Sequence, residues 1–161
     1  MGEFDSAKFR SVLGHVPTSV VVVTGLDGSG KPHGITIGSF ASVSLDPPLV
    51  GFFPGVNSRS WAAIADSGRF AVNVLGSGQD EICWRFAKEG EDKFAGLEWR
   101  ASALGSPLIA GSLAWIDCTV ESVGPAGDHH FVVGRVESLE GAPGDAMVFF
   151  RGKVTSVHVD A

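Results

Sequence analysis

Hydrophobic and polar positions along the chain alternate mainly with a period of two, the repeat of a strand that buries one face. The stretch Gly34–Pro48, GITIGSFASVSLDPP, shows it best. One face carries Ile35, Ile37, Ala41, Val43 and Leu45 and reads as a core face. The other carries Thr36, Gly38, Phe40, Ser42 and Ser44, small hydroxyls, a glycine and a phenyl ring where a solvent face would show charge. Gly38-Ser39 marks a bulge or kink, and Asp46-Pro47-Pro48 ends the strand because proline donates no ladder hydrogen bond.

The same reasoning gives the other elements. Residues 6–13 predict a short helix, capped by Ser6, with Phe9, Val12 and Leu13 as its apolar stripe and Gly14 as its end. Thr18–Thr24, TSVVVVT, is a β-branched run for a central strand. It is joined through the turn LDGSGK to the Gly34 strand as a hairpin. Leu49–Phe53 is a short apolar strand. Asn57–Ala65 is a helix capped by Asn57 or Ser58, and Arg69–Leu75 is a strand with Phe70, Val72 and Val74 on one face. Ser77, with Asp80 three residues on, opens a helix as a capping box, its apolar side marked by Ile82 and Phe86. Residues 91–110 are irregular. Strands follow at Ala114–Val123, His130–Leu139 and Ala146–Phe150, with an edge segment at Val154–Val159. Six or seven strands, two or three short helices and tight turns predict a mainly β fold, an antiparallel barrel decorated with helices, as one domain over residues 1–161.

Composition narrows the function classes. Hydrophobic residues make up 44% and charged residues 19%, which is a folded chain with part of its surface available for an oligomer. A formal net charge of -6 argues against nucleic acid as the main partner. No apolar run is long enough to span a membrane, and MGEFDSAKFR has no signal-peptide core. Cys83 and Cys118 cannot form a disulfide framework, so a reducing cytoplasm is expected.

Two further stretches carry candidate chemistry. Asn57-Ser58-Arg59-Ser60 opens a helix, where free N–H groups, two hydroxyls and a guanidinium would suit a phosphate; a plain N-cap beside a solvated arginine is the simpler account. Gly127-Asp128-His129-His130 follows a turn at the mouth of a strand. Adjacent strand residues point to opposite faces, so the two histidines cannot share a site, and they make a poor metal centre. An ordinary turn starting a strand accounts for them equally well. GxGxxG, P-loop, GxSxG and HExxH motifs are all missing. Both cysteines sit among apolar residues as core, and the chain contains no tyrosine.

These stretches occur together, and in this order, in one family. FRSVLGHVPTSVVVVT, GITIGSFASVSLDPPLVGFF, NSRSW, FAVNVL, RFA, DKFAGLEW, GSPLIAGSLAWIDC, AGDHHFVVGRV and VFFRG run from Phe9 to Gly152. The chain resembles the flavin reductase-like family of FMN-binding split barrels, the reductase components of two-component flavin monooxygenases. The resemblance implies a homodimer of six-stranded antiparallel split β-barrels of Greek-key type, with FMN or FAD near the interface and NADH or NADPH as co-substrate. It places the isoalloxazine on the Gly34–Ser44 strand, read by Thr36, Ser39, Ser42, Ser44 and the neighbouring Phe40, Ala41 and Val43. It places the flavin phosphate on Asn57, Ser58, Arg59 and Ser60, the nicotinamide beside His129 as the catalytic position, and Arg85 and Phe94 in further flavin contact. The implied reaction is hydride transfer from nicotinamide to flavin, with reduced flavin passed to a partner monooxygenase.

Two departures from the family pattern stand out: Ser19-Val20-Val21 near the first strand, and Lys153-Val154-Thr155 after VFFRG, where relatives carry an aromatic turn on the nicotinamide side. No clear basic pair for a 2′-phosphate is visible, which favours NADH. A flavin-binding carrier or sensor without efficient reductase activity is the alternative. A haem domain is disfavoured because the Gly34 strand offers no axial ligand.

Overall fold

The computed structural model describes residues 2–160; Met1 and Ala161, the ends of the expected domain, lie outside the described residues. The chain runs α1 (Ser6–Leu13), β1 (Thr18–Ser19), β2 (Val21–Leu26), β3 (Pro32–Ile37), β4 (Ala41–Ser44), β5 (Leu49–Phe52), α2 (Arg59–Ala65), β6 (Arg69–Val74) and α3 (Asp80–Ala87). It continues through β7 (Trp99–Ala101), β8 (Pro107–Ile109), β9 (Ala114–Ala126), β10 (His129–Gly141), β11 (Ala146–Phe150) and β12 (Lys153–Val157). The fold is mainly β with three short helices.

Seven strands form one antiparallel sheet in the order β3-β2-β6-β9-β10-β5-β4, where six strands in all were expected of the barrel. Strands β1, β11 and β12 form a second sheet, and β7 and β8 a hairpin in the region expected to be irregular. The two edge strands of the main sheet, β3 and β4, are consecutive in the chain and separated only by Gly38, Ser39 and Phe40. That link spans at most about 14 Å. The sheet therefore curls until its edges approach, although β3 and β4 do not hydrogen-bond to each other and no closed barrel forms.

The curl encloses one core, built on Val21, Val23, Phe52, Trp61, Ile64, Phe70, Val72 and Val132. Phe52 meets Trp61 and Phe70 edge-on at 5.3 Å each, contacts that contribute about 0.5–1.5 kcal/mol per pair beyond burial. Val20, Val22, Leu75, Cys83, Phe86, Phe94, Ile109 and Met147 make a second core on the other face, under α3 and β11. A buried polar clip fixes the β7–β8 hairpin to the sheet. Thr24 Oγ1 donates to the Pro107 carbonyl at 2.6 Å, and Asn73 Oδ1 accepts from Ile109 N at 2.7 Å.

Several boundaries differ from the sequence reading. The 34–48 stretch is not one strand: it bends at Gly38-Ser39 and becomes the two opposite edges of the sheet. The bend also shifts the phase. Phe40, assigned to the polar face, packs on the same core as Ile35 and Ile37. Ala41, Val43 and Leu45, assigned to the core face, are exposed. The run Thr18–Thr24 divides at Val20, because Thr18 and Ser19 pair with Phe149 and Val148 of β11. The N-cap of α1 is Asp5, which accepts from Lys8 N at 2.8 Å, and not Ser6. The predicted capping box at Ser77 does not form. Gln79 is the N-cap of α3 without a side-chain cap bond, and its Oε1 accepts from Gly76 N instead.

Candidate functional site

Strand β3 lines two neighbouring depressions. The larger is an open cleft of about 880 Å³ between α1, β3, the segment after β5 and the start of β10. Phe9 and Leu13 of α1, Ile35 to Ser39, Phe53, Gly55 and His129 line it. Ser39 ties its two sides together: its Oγ accepts from Phe53 N at 3.0 Å and donates to Phe53 O at 3.4 Å. Thr36 lies in the cleft wall, but its hydroxyl donates to the Cys83 carbonyl of α3 at 2.6 Å. A Cβ at Gly38 would stand 3.2 Å from Thr18 Oγ1, a buried hydroxyl with no partner among the described residues. Glycine there avoids that close approach behind the wall.

His129 enters the cleft because β10 begins there and bridges Gly55. The turn is fixed by Val56 N donating to Asp128 O and His130 N donating to Pro54 O. His129 Nδ1 lies 2.7 Å from Asp128 Oδ1, and this bond holds the Asp128 carboxyl below its ordinary pKa. An ionised Asp128 only accepts, so Nδ1 carries the proton and Nε2 of the neutral ring is an acceptor.

The smaller depression, about 260 Å³, lies at the other end of β3. Lys31 to Gly34, Arg59 and Ser60 of α2, and Glu89 to Phe94 line it. Its centre is Lys93. The Lys93 ammonium donates to Gly34 O at 3.4 Å, Ser60 Oγ at 3.5 Å and Phe86 O at 3.5 Å, and no carboxylate among the described residues lies within ion-pair distance. Burial pushes its pKa down, and Glu89 opposes that only in part. A half-buried cation bonded only to neutral oxygens suits an incoming anion.

The other candidate residues fall around these two sites. Ser58 spends its hydroxyl on the α2 N-cap, accepting from Trp61 N at 3.2 Å. Asn57 is exposed and lines neither depression. Arg85 pairs with Glu81 at 2.7 Å and donates to the carbonyls of Lys93 and Ala95. Phe94 is buried edge-on against Phe86 and Trp99. Arg85 and Phe94 thus hold the loop that presents Lys93. Ala41, Ser42, Val43 and Ser44 lie on the exposed edge strand β4 and line neither depression within one chain. Cys83 and Cys118 are buried, which raises both thiols, Cys118 to about 12, so neither is a nucleophile. No group of three or more His, Cys, Asp or Glu among the described residues is placed to hold a metal ion.

Comparison with known proteins gives this geometry a context. The family profile described as "Flavin reductase like domain" matches residues 13–158. The chain belongs to the flavin reductase-like family. It is 51% identical over 149 residues to a flavin reductase of Pseudomonas putida, covering 92% of this chain and 88% of that protein. It is 48% identical over 157 residues to the reductase subunit HsaB of a flavin-dependent monooxygenase from Rhodococcus jostii, covering 97% and 80%. The solved structure of the Streptomyces globisporus NADH:FAD oxidoreductase SgcE6, in complex with NAD and FAD fragments, superposes with a TM-score of 0.91 at 34% identity, covering 99% of each chain.

The residues present fit a flavin of this family. The open cleft along Ile35 to Ser39 has room for a planar ring, and the Lys93 depression, at the far end of the same strand, suits a phosphate. Lys93 is the residue that sequence reasoning missed. It lies in a charged, irregular stretch, and its value comes from contact with Gly34, 59 positions away. The only local signal was its place before Phe94.

Proposed function

We propose that this flavin reductase-like chain is an NAD(P)H:flavin oxidoreductase that supplies reduced flavin to a partner monooxygenase. The observation that carries it is the pairing of an open cleft lined by His129 with a depression at the other end of β3 that holds Lys93. Bound together, nicotinamide and flavin supply the chemistry, a hydride passing from one to the other. The chain binds and orients. Backbone groups of Ile37 to Ser39 would receive the ring, and Lys93, with Arg59 and Ser60, would hold the phosphate. Asp128 fixes the His129 tautomer so that Nε2 accepts a hydrogen bond, and the carboxamide N–H of a nicotinamide is a matching donor. FMN and FAD share the groups that these residues read.

The reading includes a cytoplasmic homodimer of split barrels, with one domain per chain. The short link between β3 and β4 supports the barrel. Helix α1 supports the dimer: it has no buried residue, and Phe9, Val12 and Leu13 leave its apolar face uncovered. In a dimer, Ala41, Ser42, Val43 and Ser44 of the edge strand β4 would gain the flavin contact that they lack in one chain. No helix among the described residues is long and apolar enough to cross a membrane.

Anaerobic mixing of the protein with FMN or FAD and NADH or NADPH tests the reading. Bleaching of the flavin absorbance is expected, slowed in His129→Ala with flavin affinity largely retained. Tight flavin binding with no reduction by either nucleotide would assign a carrier or sensor role instead.

A further inference from the structure

A third depression, of about 440 Å³, lies against the end of α1 and is lined by Arg10, Ser11, Gly14, His15, Arg151 and Gly152. It joins residues 141 positions apart in a chain with net charge -6, and no carboxylate lines it. Arg10 and Arg151 form no ion pair with any described residue. Helix capping accounts for part of the cluster, since His15 Nδ1 lies 3.0 Å from Ser11 O and 3.2 Å from Val12 O. That contact puts the proton on Nδ1 and leaves Nε2 free. Capping does not account for Arg151. Its backbone sits at φ 50, in the left-handed region that bulky residues avoid, pinned by Arg151 N donating to Gly14 O at 3.1 Å. Its guanidinium lies 5.0 Å from the Phe150 ring centre.

The depression adjoins the cleft that holds His129. Helix α1 turns Phe9 and Leu13 to the cleft, while Arg10 and Gly14 occupy the next face, about 100° round a helix about 10 Å across. Along the sheet, Thr18 lies behind Gly38 of the cleft, where an added Cβ would stand 3.2 Å from its Oγ1, and it pairs with Phe149, two residues before Arg151. We propose that this depression binds a phosphate group of the pyridine dinucleotide whose nicotinamide lies beside His129. Two guanidiniums without carboxylate partners match the charge of a phosphate ester, and the guanidinium donor fork is suited to its oxygens. This assignment rests on the reductase reading.

Arg151→Gly is the first test, because glycine accepts the positive φ and removes only the side chain. Arg10→Ser is the second. Each should raise the KM for dinucleotide about tenfold, with kcat, flavin affinity and Tm held. A rise for NADH and NADPH alike assigns the pyrophosphate; a rise for NADPH alone assigns the 2′-phosphate. Inorganic pyrophosphate should also shift the His15 ring NMR signals of the wild type, an effect that needs no turnover. Unchanged KM for both nucleotides in both variants, or silent His15 signals, overturns the assignment. Absence of wild-type turnover would sink the reductase reading, while the His15 titration would still decide on the phosphate site.

Discussion

Lys93→Met is the most discriminating change in the flavin site. Methionine keeps the apolar stem and removes the charge. A hydrogen bond to a charged group contributes about 1.5–3 kcal/mol, which is about 10- to 150-fold in Kd. The depression is open, and Glu89, Glu91 and Asp92 also line it and oppose an anion. Both effects weaken the pair, so the lower end applies and FMN should bind about tenfold more weakly. Stability should move the other way. Burial holds the ammonium's pKa below the ordinary lysine value of 10.5. The folded state therefore carries a cost for the charged form at neutral pH, and that cost is relieved as pH rises through the depressed pKa towards 10.5. Methionine removes the cost, so the flavin-free Tm at pH 7 should hold or rise. Flavin fluorescence titration and a thermal melt on the same samples measure both quantities. An unchanged Kd for FMN would refute the assignment of Lys93 to the phosphate, and a marked fall in Tm would make it a structural residue.

Three other outcomes are expected. Asp27 accepts from Ser29 N, Ser29 Oγ and Lys31 N and lies 2.8 Å from His33 Nε2, which holds its carboxyl far below the ordinary value near 3.8. Its contribution is complete above that ordinary value and is lost as pH falls below it, so urea midpoints between pH 2 and 6 should fall with acid more steeply in the wild type than in Asp27→Asn. A Cβ at Gly34 would stand 2.7 Å from the Phe86 ring, so Gly34→Val should cost about 1–3 kcal/mol and lower Tm by several degrees in a calorimetric scan. Val12→Glu places a charge on the uncovered face of α1 and should convert the proposed dimer to monomer in light scattering; a dimer of unchanged size would put the interface elsewhere.

Much of the fold was legible because strand period and turn chemistry agree locally, as at Arg69–Val74 and Ala146–Phe150. The 34–48 stretch misled because alternation persists on both sides of a bend, and a one-residue shift of phase exchanges the faces. The hydroxyls of Ser42 and Ser44 were visible as an unusual face, but their place on an edge strand was not. The turn alone left His129 open and the family resemblance singled it out, while Arg59 and Ser60 stood out as candidates at a helix start. Lys93 was not legible, since its partners Gly34 and Ser60 lie 59 and 33 positions away. Nor was the Arg10–Arg151 pair, because a basic pair sought along the sequence forms only where β11 returns to α1.

The three-residue link between β3 and β4 has a consequence for synthesis. Residues 37 and 41 leave the ribosome almost together, yet they end on opposite margins of the sheet, and β10 must be in place before those margins can face each other. The cleft against Gly38 and Ser39 is therefore completed only once His129 and the strand after it have been made. Flavin capture by a growing chain would then mark a late stage of assembly, because no shorter N-terminal fragment holds both walls of the cleft.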